Sequence, residues 1–75
     1  MTRQGVVLFY SMHAVFRLEK ALKKHSVGCK AIPTPRYLSS DCGTALRFSW
    51  ADLACVKAAV AELDLDVEGL HELTE

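Results

Sequence analysis

Cys42 stands within a segment whose residue types suit thiol chemistry: Pro33-Thr34-Pro35-Arg36-Tyr37-Leu38-Ser39-Ser40-Asp41-Cys42-Gly43-Thr44-Ala45-Leu46-Arg47-Phe48. Two prolines stiffen its start, small hydroxylated residues lead to the sulfur, and Arg36 and Arg47 flank it. The thiolate is the nucleophile, so positive charge and backbone N–H groups near the sulfur activate it. Gly43 would supply a tight turn with φ > 0 that aims those N–H groups. Asp41 opposes them, because a neighbouring carboxylate raises a thiol pKa. A thiol so placed can attack a persulfide and keep the transferred atom. The alternative is a small buried residue at a strand edge. The polar Ser39-Ser40-Asp41 run before it fits that alternative less well.

The other thiols are Cys29 and Cys55, and an odd total rules out a complete set of internal disulfides. The three cysteines are spaced by thirteen residues, which matches no zinc pattern. Cys29 would act as a resolving thiol if strand pairing brought it to Cys42, but it reads first as a strand residue. Cys55 reads as a structural residue beside the apolar stripe of a helix. Arg36 would clamp an anion such as selenite, phosphate or a partner's carboxylate, or serve as an ordinary surface arginine. Ser39 and Ser40 read as an ordinary loop, with a small anion-binding turn as the alternative. His13, His25 and His71 lie on different elements and imply no metal. Trp50, Tyr10 and Phe48 read as packing residues.

These residues must be positioned by regular elements. Val6 to Ser11 is continuously apolar and reads as a central strand covered on both faces. Ser11 looks like an N-cap, and Ala14, Val15, Leu18, Ala21 and Leu22 recur at helical spacing up to about Lys24. Gly28 would end that helix. Cys29 to Ile32 reads as a second strand, stopped by Pro33 and Pro35. Thr44 to Ser49 reads as a third, with Leu46 and Phe48 on one face and Arg47 on the other. Trp50 opens a second helix with Ser49 as its cap and Leu53, Val56, Val60 and Leu63 as its buried stripe. Val67 to Leu73 reads as a fourth strand.

The order β-α-β-β-α-β predicts an α+β, ferredoxin-like fold: a four-stranded antiparallel sheet with two helices on one face. Residues 1–75 make a single domain with a small core. The first strand is apolar on both faces while helices cover only one, so a partner, such as a second copy in a homodimer, is expected on the other. The formal net charge of zero argues against a nucleic-acid partner. The N-terminal apolar run is too short for a signal peptide or a membrane span, so a cytoplasmic protein with reduced thiols is expected. The residues imply no cofactor.

The segments Pro33-Thr34-Pro35-Arg36, Ser39-Ser40, Cys42-Gly43 and Ala45-Leu46-Arg47-Phe48 resemble a bacterial Se/S carrier protein-like family. The resemblance covers the whole chain and implies sulfur or selenium handling in the cytoplasm, with Cys42 as the functional thiol. It implies a donor such as a cysteine desulfurase and an acceptor protein. The residues then support a carrier of sulfur or selenium without turnover of its own. In it Cys42 holds the atom, Gly43 makes the turn, and Arg36 and Arg47 supply charge. The alternative is a ferredoxin-like interaction or regulatory module. A third reading is a thiol enzyme such as a reductase, using Cys42 with Cys29.

Overall fold

The computed structural model describes residues 3–35, 37–38 and 43–73. Its elements are β1 (Gln4–Phe9), α1 (Met12–Lys24), β2 (Cys29–Pro33), β3 (Thr44–Ser49), α2 (Leu53–Glu62) and β4 (Val67–Glu72). The strands form one antiparallel sheet in the order β2-β3-β1-β4. The architecture is the α+β, ferredoxin-like one expected from the patterning.

Helix α1 buries Ala14, Val15, Leu18 and Leu22 and leaves Met12 and Phe16 exposed. It stops before Gly28. Ser26 takes φ 60°, its N–H donates to the Lys23 carbonyl at 3.1 Å, and the Val27 N–H donates to the Leu22 carbonyl at 2.8 Å. This Schellman closure needs its left-handed residue immediately before the apolar residue that tucks inward, and that residue is Val27. Helix α2 ends the same way: Asp64 has φ 51° and the Leu65 N–H donates to the Val60 carbonyl at 3.0 Å. Ser49 is not a side-chain cap. The Trp50 N–H donates to the Arg3 carbonyl at 2.9 Å, so strand pairing continues past Ser49. A 3₁₀ turn, Trp50–Asp52, then delays the start of α2. Helix α2 turns Val56 and Ala59 fully inward, with Leu53 and Val60 only partly buried.

The main core lies between the helices and the sheet: Val7 and Phe9 of β1, Leu46 and Phe48 of β3, and the buried faces of both helices. A second, smaller cluster lies on the sheet's other face. There Val6, Leu8 and Ala45 are 0, 3 and 0% exposed, with Ile32, Leu38 and Leu73 packed against them. Val6, Leu8 and Ala45, which the patterning left open to a partner, are covered within one chain by the partly buried Ile32, Leu38 and Leu73. Arg3 and Glu72 form an exposed ion pair that joins the ends of β1 and β4, a type of contact that contributes little.

Gly5 permits the closest approach in the fold. It faces Phe48 across the β1–β3 ladder, and Phe48 stacks on Trp50 with ring centroids 6.0 Å apart. A Cβ at Gly5 would lie 2.5 Å from Trp50 Cε3 and 2.6 Å from Phe48 Cζ. Gly5→Ala must push both rings outward, and urea unfolding should show a loss of about 1–3 kcal/mol. An unchanged midpoint would mean that the rings shift freely. Ser26→Gly and Asp64→Gly relieve the left-handed strain and should each stabilise by roughly 1 kcal/mol in the same measurement.

Candidate functional site

The segment that carries Cys42 springs from one end of the sheet. Residues 34–43 join the end of β2 to the start of β3, and the Thr34 N–H donates to the Gly43 carbonyl at 3.0 Å. That bond extends the β2–β3 ladder one step beyond the Pro33–Thr44 pair and pins both ends of the segment. The Leu38 N–H donates to the Pro35 carbonyl at 3.0 Å, closing a turn. Leu38 then seats on Val6, Leu8 and Ala45. Leu38 is thereby held against the face opposite the helices. The same end of the sheet carries the exit of β1 and the start of α1. Tyr10, Met12 and Tyr37 are exposed there, each 40% or more, and Phe16 is exposed one turn further along α1.

Cys42 and Arg36 lie outside the described residues, as do Ser39, Ser40 and Asp41. Gly43 is exposed, and its carbonyl accepts from the Thr34 N–H where the β2–β3 ladder ends. A Cβ there would meet nothing within 4 Å. Arg47 is half-buried on the face away from the helices, paired with Val6 of β1 and Lys30 of β2. It stands three residues along β3 from Thr44, roughly 10 Å at strand rise.

The remaining thiols are separated by the fold. Cys29 pairs with Phe48 and packs on the helix-side core. It begins β2, roughly 13 Å along the strand from the end where the thiol segment leaves. The sheet stands between it and Leu38. Burial pushes its pKa up, Glu19 pushes the same way, and Lys23 opposes them. Cys55 is exposed on α2, not packed beside the stripe as its spacing suggested. Among the described residues no group of three His, Cys, Asp or Glu could hold a metal ion. No helix among them is long and apolar enough to cross a membrane.

Sequence reasoning overlooked one group. Arg47 borders a depression of about 220 Å³ with Lys30, Gln4, Ser49 and Gly28. The signal was present in the alternation: once β2 and β3 are taken as a hairpin, Lys30 and Arg47 fall on the same face.

A family model described as "Putative Se/S carrier protein-like" matches residues 4–72. No curated protein and no solved structure matches the chain.

The raised pKa of Cys29 keeps its thiol protonated to higher pH than a free cysteine. Its alkylation rate should therefore reach its midpoint above about 8.5. Glu19→Gln should lower that midpoint and Lys23→Gln should raise it. The protonated thiol is the form the fold favours, so its contribution to stability is complete below the unfolded-state value and fades as pH rises through the folded one. Residue-resolved mass spectrometry after iodoacetamide checks this, and a Cys29 midpoint below the free value would contradict it.

Proposed function

The chain belongs to the Se/S carrier protein-like family, and on that premise we propose that it carries one sulfur or selenium atom on Cys42 as a persulfide or selenopersulfide. The Cys42 thiolate attacks the outer sulfur of a persulfide held by a donor such as a cysteine desulfurase. One S–S bond forms on Cys42, the donor's own S–S bond breaks, and the donor leaves as a thiolate, with no net oxidation. A second exchange of the same kind passes the atom to an acceptor protein. The chain needs no turnover of its own. A reducing cytoplasm suits it, because its thiols must stay free.

The family match over nearly the whole chain carries this reading. Two structural features support it. Thr34 and Gly43 pin the ends of the thiol segment to a rigid sheet. Tyr10, Met12 and Tyr37 offer apolar contact at that same end, where donor and acceptor sulfurs must meet the carrier. Those exposed side chains also favour an interaction module without thiol chemistry, so the test must separate the two.

Wild-type protein incubated with a cysteine desulfurase and cysteine, or selenocysteine, should gain the mass of one sulfur or selenium atom, removable by reductant. Cys42→Ser should gain nothing, while Cys55→Ser should load as wild type despite the exposure of Cys55. Equal loading of Cys42→Ser would end the carrier reading. With Cys29 and Cys55 both changed to serine, Cys42 should titrate below about 8.5, and Arg36→Ala should move it upward. A wild-type midpoint at or above the free value would exclude activation by Arg36.

A further inference from the structure

Lys30 and Arg47 are direct cross-strand partners on the sheet face away from the helices. Like charges set opposite each other on neighbouring strands repel. Neither cation has a carboxylate partner among the described residues, and Glu72, on an edge strand, is held by Arg3. The carboxylates Glu62, Asp64, Asp66 and Glu68 gather between α2 and β4, at the far edge of the sheet from β2. Among the described residues the pair thus has no counter-charge.

Beside the pair lies the depression lined also by Gln4, Ser49 and Gly28. Gln4 and Ser49 are partners in the β1–β3 ladder and share the face of Arg47 by alternation. Residue 28 has the parity of Lys30, and a Cβ there would meet nothing within 4 Å. The missing side chain leaves the hollow open. Lys30, Arg47, Gln4 and Ser49, together with Cys29 and Phe48, therefore border one small space. The first four have side chains that can donate hydrogen bonds, and two of those are positively charged.

We propose that this hollow binds a small oxyanion of the sulfate, selenate or phosphate class, which bridges Lys30 and Arg47 and takes further hydrogen bonds from Gln4 and Ser49. The bound anion removes the cross-strand repulsion, so binding and folding are coupled. The site does not depend on Cys42. The larger groove between the helices, bordered by Arg17, Lys20, Lys24 and His25, differs because Glu62 already supplies a counter-charge within it.

Titration of the amide NMR spectrum of the Cys42→Ser protein with sulfate, selenate and inorganic phosphate tests this, against chloride at matched ionic strength. These probes do not oxidise thiols. At least one should shift the Gly28, Lys30, Arg47 and Ser49 resonances to saturation at roughly 1–10 mM. Their order of affinity distinguishes a sulfur or selenium oxyanion from a phosphate. Lys30→Gln and Arg47→Gln should each weaken binding about tenfold or more. Gly28→Asp, which places a carboxylate in the hollow, should abolish the shifts and melt higher at low salt than the isosteric Gly28→Asn. Shifts that are linear for every anion, or spread equally over Arg17, Lys20 and Lys24, would overturn the proposal. So would equal melting of the two residue-28 variants.

Discussion

Strand β1 is apolar on both of its faces, and in a two-layer fold the helices can shield only one. Val7 and Phe9 meet α1 and α2, while Val6 and Leu8 point the other way. Leaving two large aliphatic side chains in water would cost roughly 1.5–3 kcal/mol for each. A domain of this length has little stability in reserve. The second cover is drawn from the chain itself: Ile32 from β2, Leu73 beyond β4, and Leu38 from the segment between β2 and β3. Leu38, four residues before Cys42 in the chain, is therefore part of the core's closure. The Thr34 N–H and the Gly43 carbonyl are hydrogen-bonded together, so residues 34–43 are tethered at Leu38 as well as at their two ends.

Under the carrier reading we propose, the sulfur is presented to two different proteins, and Tyr10, Met12 and Tyr37, exposed at the end of the sheet where Leu38 packs, would form the apolar rim that they meet. The other two thiols are removed from that end by different means. Cys29 is turned to the helix side, where burial and Glu19 raise its pKa. Cys55 is exposed on α2, and α2 begins at the opposite end of the sheet, after β3.

The charges show a parallel separation. The neutral total conceals cations concentrated on α1, β2 and β3 and carboxylates gathered around the end of α2 and β4. Opposite charges at opposite edges of a four-stranded sheet cannot pair across it at ordinary salt, where fields decay within about 10 Å. Lys30 and Arg47 are left facing each other for this reason.

Much of this was legible in the residues alone. Periods of two and of about 3.6 name strands and helices because each element must present one continuous face to a core, and the β-α-β-β-α-β order leaves few ways to connect them. The extent of β3 and its division into Leu46 and Phe48 on one side and Arg47 on the other followed from alternation. What alternation does not encode is the third dimension. Whether Val6 and Leu8 are covered by a partner or by Leu38 depends on where a proline-containing loop folds back, a long-range contact without local signature. That Ser26 rather than Gly28 bends left-handed depends on where Val27 must be buried. That Arg47 meets Lys30 depends on a register fixed by pairing two strands. Local pattern determined the elements because each residue's preference is set by its near neighbours. Tertiary packing alone decided which of those side chains meet, because contacts between distant residues are chosen by the burial of the whole chain at once.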